Sequence, residues 1–217
     1  MARPLKPLFC IFATLLVWHG FAFGQQETLD RIDAIYNLSQ RDNTGALAQI
    51  RTLGAQLPET APYALQREYL ITRIDLELDA GLNDAARASN AKLLALAKAQ
   101  PKPDDVGQAL AMGLEASDMV AASQHASAIL KLEEARPFAV RSGDALALGR
   151  HYRILGAAQL ATGKFELALE SYLKSLQYAD QQARYPKHAR LRSLIGLGNV
   201  YSAMKNHEKT LAVIDEA

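Results

Sequence analysis

Two stretches near the end of this 217-residue chain repeat one apolar pattern 42 residues apart. The first holds Tyr152, Leu155 and Gly156, then Ala168 and Tyr172. The second holds Leu194, Leu197 and Gly198, then Tyr201 and Ile214, with Thr210 in the place of Ala168. In the first copy Phe165, Ala168, Leu169, Tyr172, Leu173 and Leu176 fall at i, i+3, i+4, i+7, i+8 and i+11. That is one apolar stripe on an α-helix. Tyr152, Leu155, Gly156 and Leu160 keep helical spacing upstream of it. A glycine inside a helix costs about 1 kcal/mol against alanine. The cost makes sense where a neighbouring helix must approach the backbone, and Ala168 permits the same approach from the partner. Thr162-Gly163-Lys164 is the turn between the two helices, with Gly163 suited to a left-handed helix end. The second copy turns at Lys205-Asn206, where Asn206 is the expected left-handed residue.

The paired pattern resembles the tetratricopeptide repeat: a large residue, Leu-Gly, an aromatic three further on, then a small residue and an aromatic on the next helix. Tyr152, Leu155, Gly156, Ala168 and Tyr172 carry the resemblance in one copy. Leu194, Leu197, Gly198, Tyr201 and Ile214 carry it in the other. The common repeat has about 34 residues, and the excess here equals about one turn on each helix at 3.6 residues per turn. Gln159 stands where an aromatic is usual, and Asp180 where proline is usual. The resemblance implies an all-α fold, a right-handed α-solenoid of stacked antiparallel helix pairs whose usual work is holding other proteins.

The first 24 residues read as a secretory leader, cleaved before Gln25. Arg3 and Lys6 give a basic start, Leu8 to Val17 an apolar run, and Ala22-Phe23-Gly24 small residues at the cleavage positions. The run is shorter than the ~20 residues that span a bilayer, and Cys10 lies inside it rather than at its end. Export to a bacterial periplasm is expected. Without the leader, 22 basic residues face 23 acidic ones, net −1. That balance does not point to nucleic acid. No second apolar run is long enough to cross a membrane. The mature chain has no cysteine, which excludes disulfides, thiolate metal sites and a cysteine nucleophile.

Stepping back from Gly156 by the 42-residue period reaches Leu114, flanked by Leu110, Ala126 and Leu130, and about 40 more reaches Ile74. The sum is one domain over 25–217 with five helical hairpins, roughly 28–58, 61–100, 104–142, 144–183 and 186–217. Asn43 is the expected cap of the second helix. Prolines at 58, 62, 101, 103 and 186 fall between hairpins. Pro137 is expected to kink or end the second helix of the third hairpin, whose turn the pattern does not locate. The last helix stops at Ala217 with Leu211, Val213 and Ile214 lacking a following partner, so the fifth hairpin is expected to be truncated, with further chain downstream.

No residue pattern calls for catalysis, a metal or a cofactor. Gly196-Leu197-Gly198 lies within a helix, follows no strand and lacks the third glycine of a nucleotide loop. His125, His151, His188 and His207 never fall at a metal-binding spacing, and each is read as a surface or cap residue. What remains is a groove for a protein or peptide. In the family resembled, the first helix of each hairpin lines the concave face. That register selects Arg150, Arg153, Ala157 and Leu160 in the fourth hairpin, and Arg192, Ile195, Asn199 and Ser202 in the fifth. Arg150, Arg153, Arg192 and Asn199 are the candidate binding residues. Arg153 and Asn199 match positions where some family members hold a peptide's terminal carboxylate with a basic residue and an asparagine. An exported chain of this kind also resembles the periplasmic sensing region of bacterial receptors with diguanylate cyclase or histidine kinase output. A free periplasmic scaffold for envelope or secretion assembly is the alternative.

Overall fold

A computed structural model describes residues 8–182 and 185–217, with side chains from Gly24 onward. The expected leader therefore falls on residues 1–7, outside the described ones, and on 8–23, of which only the backbone is described. Among the described residues there are ten helices and no strand. They are α1 (Leu8–Ser39), α2 (Asn43–Gln56), α3 (Tyr63–Asp79), α4 (Asn83–Ala99), α5 (Asp105–Ala121), α6 (His125–Ser142), α7 (Ala145–Ala161), α8 (Phe165–Ala179), α9 (Pro186–Ala203) and α10 (His207–Glu216). The fold is an all-α series of helix pairs. The chain divides into two compact units between Ser89 and Asn90, inside α4 rather than at a linker.

In the first unit α1, α2 and α3 pack on one another through Ile32, Tyr36, Ile50, Leu53 and Leu70, all buried. Asp42, not Asn43, caps α2: its carboxylate accepts the Gly45 N–H at 2.8 Å. An aspartate there satisfies an orphan amide and opposes the positive end of the helix dipole. Asn43 instead sends its amide toward the Leu76 carbonyl at 3.4 Å. Glu77 of α3 is wholly buried. Arg73 Nε donates to its Oε1 at 2.8 Å and Ser89 Oγ to its Oε2 at 2.8 Å. Arg73 Nη1 also donates to Tyr69 Oη at 3.1 Å. Each carboxylate oxygen thus has a donor, as a buried charge requires.

In the second unit successive helices from α5 to α10 pack in chain order, and α5 also touches α7 as α7 touches α9. Each first helix of a pair therefore meets both its own partner and the first helix of the next pair. The second helices repeat one buried set at i, i+4, i+7 and i+11. It reads Ala128, Leu132, Ala135, Ala139 on α6 and Ala168, Tyr172, Ser175, Ala179 on α8. The same places hold Ala46, Ile50 and Leu53 on α2 and Ala86, Asn90, Leu93 and Ala97 on α4, and each of the four starting alanines has no exposed surface. The steps between them alternate, 40, 42 and 40 residues, with 42 more to Thr210. This corrects the register of the third hairpin. The counterpart of Gly156 is Ala116, two residues beyond Leu114, and Ala126 and Leu130 are exposed rather than packed. The repeat lengthens and shortens by two residues, so a fixed period of 42 drifts off the core.

The turns alternate in the same steps. Gly81, Ser123, Gly163 and Lys205 are the left-handed residues, with φ of 72°, 60°, 75° and 58°. After each, the next amide reaches back five residues, as in Leu82 N to Glu77 O at 2.8 Å and Asn206 N to Tyr201 O at 2.9 Å. This is the Schellman closure of a helix end. The turn of the third hairpin is thereby placed at Ser123. In the fifth hairpin Lys205 takes the left-handed place expected of Asn206, because Asn206 caps α10, accepting the Lys209 N–H at 3.1 Å. A side chain in that conformation costs about 1–2 kcal/mol. Lys205→Gly should therefore raise the melting temperature, by about 2 °C for a net gain of about 0.5–1 kcal/mol after glycine's own chain entropy. A lowered melting temperature in calorimetry would contradict the turn assignment.

Pro137 does not end α6, which continues to Ser142 and closes on Gly143 at φ 61°. Pro137 and Glu133 are both exposed, so the hydrogen bond that proline removes from the Glu133 carbonyl is lost at the surface, where it costs least.

Candidate binding face

The face begins with how α9 is seated on the fourth hairpin. Ala168, Tyr172, Leu194, Leu197 and Val200 are buried together, with Ala157, Leu160, Phe165 and Leu169 packed against them. The Tyr172 ring sits between two glycines. A Cβ on Gly156 would meet Tyr172 Cδ2 at 2.9 Å, and a Cβ on Gly196 would meet Tyr172 Cε1 at 2.0 Å. At Gly198 a Cβ would meet nothing within 4 Å. The glycine that the α9 seating requires is thus Gly196, which the sequence pattern set aside, and not Gly198. In the preceding pair the smaller Leu132 shares its cluster with the larger Ala116 and Ile154. The two layers exchange volume while keeping the interior filled. Ser175 and Ser193 add a buried polar contact between α8 and α9, Oγ to Oγ 2.8 Å, and Ser175 also donates to the Gly149 carbonyl at 2.9 Å.

With α9 so placed, the four candidates lie on two touching helices, Arg150 and Arg153 on α7 and Arg192 and Asn199 on α9. The three arginines are half-buried and Asn199 is exposed. Ala157 and Leu160 line the α7 side, and Ile195 and Ser202, both exposed, the α9 side. Arg192 Nε donates to His188 Nε2 at 2.8 Å. All three arginines are already engaged within the chain, so a bound carboxylate would exchange for or add to those interactions. Arg153 lies near enough to Tyr172 to matter electrostatically. Burial pushes the Tyr172 phenol up, and the Arg153 charge partly offsets this. The face can supply fixed positive charge beside apolar and amide surface, which suits recognition of an acidic or carboxylate-bearing chain.

The remaining signature residues build the scaffold. Tyr152 stacks on Tyr178 at 5.8 Å with planes 3° apart, and Lys174 lies over its ring at 5.3 Å. Leu155 is half-buried, and Tyr201 is half-buried beneath Lys209. Ile214 stays exposed. His151 differs from its expected surface place. It is buried on α7, and burial holds its imidazole below the usual range, with Glu133 and Arg136 acting in opposite directions. Among the described residues no three metal-ligating side chains gather, and no helix is long and apolar enough to cross a membrane.

No protein-family model matches this sequence, and no curated protein matches it significantly. Solved structures do resemble it. The crystal structure of BtubC (BKLC) from P. vanneervenii has a TM-score of 0.58 at 18% identity, covering 94% of this chain and 83% of the other. A Podosopora anserina protein described as a kinesin light chain with nearly identical TPR-like repeats has a TM-score of 0.48 at 17% identity, covering 87% and 93%. Only the first is close enough to bear on the fold, and its likeness agrees with an all-α series of helix pairs.

Proposed function

We propose that this chain is an exported module that binds a protein or peptide, with the α7–α9 face as its binding surface and no turnover. The observation that carries the reading is the placement of Arg150, Arg153, Arg192 and Asn199 on two first helices that touch. The fold supports it, since stacked helical pairs present such faces to other chains. The basic-apolar-small order of residues 1–24 supports export. Resemblance to bacterial receptors suggests that the module is the sensory part of a larger membrane signalling protein with diguanylate cyclase or histidine kinase output.

The test is affinity capture from periplasmic extract at about 50 mM and about 500 mM salt, comparing wild type with Arg153→Glu/Arg192→Glu. The captured partner should be lost by tenfold or more in the variant, a change of about 1.4 kcal/mol. In wild type it should be weakened by salt, because the screening length of exposed charges falls from about 14 Å to about 4 Å between these two ionic strengths. Full retention by a folded double variant would place binding elsewhere.

A further inference from the structure

His151 is a titratable group inside a helix junction, and the binding face makes no use of it. It lies on α7 with 5% of its surface exposed. Ala111, His151 and Ser193 hold one place on α5, α7 and α9, 40 and 42 residues apart. At two of these places the preceding helix makes a hydrogen bond. Asn90 of α4 donates to the Ala111 carbonyl at 2.9 Å, and the Ser175 hydroxyl of α8 meets that of Ser193 at 2.8 Å. The α6 counterpart of Ser175 is Ala135, wholly buried and without a polar side chain. α6 and α7 pack on each other, so their junction offers the imidazole no hydroxyl at that place.

Charge does little to compensate. Burial is the largest influence on the ring and disfavours the imidazolium, while from α6 Glu133 favours it and Arg136 opposes it. On α7 itself the Tyr152 ring meets it edge-on at 5.3 Å, and Lys174 and Tyr178 of α8 lie against that Tyr152 ring. Among the described residues no charged group of α5, α8 or α9 acts on it. A proton on His151 would therefore put a charge into the junction without a dominant counter-charge, which is costly. We propose that His151 is an acid-sensitive latch: its neutral imidazole seats α7 on α6, and its protonation loosens that junction. Arg150 and Arg153 flank it on α7, so acid would unseat the α7 side of the binding face. That consequence rests on the α7–α9 reading; the latch itself does not.

An imidazole held below about 6.5 in the folded state takes up a proton less readily than the unfolded chain does. Folding stability is then complete above that pH and declines as the pH falls below it. Urea denaturation of the purified protein at about pH 7.5 and about pH 5 tests this, with His151→Gln and His151→Leu alongside. Neither replacement titrates, and one is polar and the other apolar. Between the two conditions the unfolding constant of wild type should rise about tenfold more than that of either variant. In wild type, amide-exchange protection should fall further along α6 and around Arg150 to Arg153 than along α2. In a proton NMR titration of wild type the His151 ring should titrate below the ordinary histidine value. A wild type whose pH dependence matches that of both variants overturns the proposal. So does a His151 that titrates at or above the ordinary value, or a loss of protection spread evenly over the helices. Should either variant fail to fold, the other and the wild-type titration still decide. Partner capture at about pH 7.5, where His151 is neutral, tests the binding reading alone, so failure of one is not mistaken for failure of the other.

Discussion

Gly196→Ala should lower stability by about 3 kcal/mol, the upper end of the usual cost of overpacking. The new Cβ would lie 2.0 Å from a carbon of the Tyr172 ring, a buried side chain pinned on its other face by Gly156. For a chain of this size the melting temperature should fall by about 6–12 °C. Gly198→Ala, two residues away on the same helix, should raise stability by up to about 1 kcal/mol, because it removes a helix glycine into open space. The double variant Gly196→Ala/Tyr172→Leu should recover part of the loss, since the preceding pair is built with leucine at that position and larger neighbours around it. Equal effects at 196 and 198 in chemical denaturation would mean that α9 is seated in another register.

Arg73→Ala should cost about 3 kcal/mol, the lower end of the range for breaking a buried pair, because Arg73 keeps 34% of its side chain in contact with solvent while Glu77 keeps none. Removing the arginine strands a carboxylate that only Ser89 would then satisfy. Glu77→Gln should cost less, since the carboxamide still accepts a hydrogen bond and no charge is left buried. Arg73→Ala/Glu77→Leu should be closer to wild type than Arg73→Ala alone, as an apolar replacement needs no partner. Urea denaturation in which Glu77→Gln is the more damaging change would contradict the burial of Glu77.

Which of these features the sequence could carry follows from their range. Helix ends and turns are local, and Gly163, the prolines and the apolar stripe of α8 mark them. The step between repeats is not local. Ala126 and Ala128 are the same residue two positions apart, and only packing against Ala116 and Ile154 selects Ala128. For the same reason Gly198, which fits the signature, drew attention from Gly196, which meets a ring 24 residues earlier. The Arg73–Glu77 pair had a visible sign in its i, i+4 spacing, but that spacing is ordinary on solvated helices. Its burial depends on Ser89 from the following helix. The candidate face was legible as a register of first-helix positions. What the arginines touch was legible only in part: the Arg192–His188 bond is an i, i+4 contact within α9, whereas the proximity of Arg153 to Tyr172 arises only when α7 and α8 are assembled.

The face exists as described only if α9 packs on α8 with Ser193 against Ser175. Both hydroxyls are buried and 2.8 Å apart, and the sequence has no cysteine other than Cys10 to confuse the chemistry. Ser175→Cys/Ser193→Cys, treated with a mild oxidant and read by thiol counting and mass spectrometry, should form a disulfide nearly quantitatively. Ser171→Cys/Ser193→Cys should remain reduced, because Ser171 is turned to Gln159 of α7 at 2.7 Å. Free thiols in the first variant, or crosslinking of the second in preference to it, would contradict the stacking on which the binding face depends.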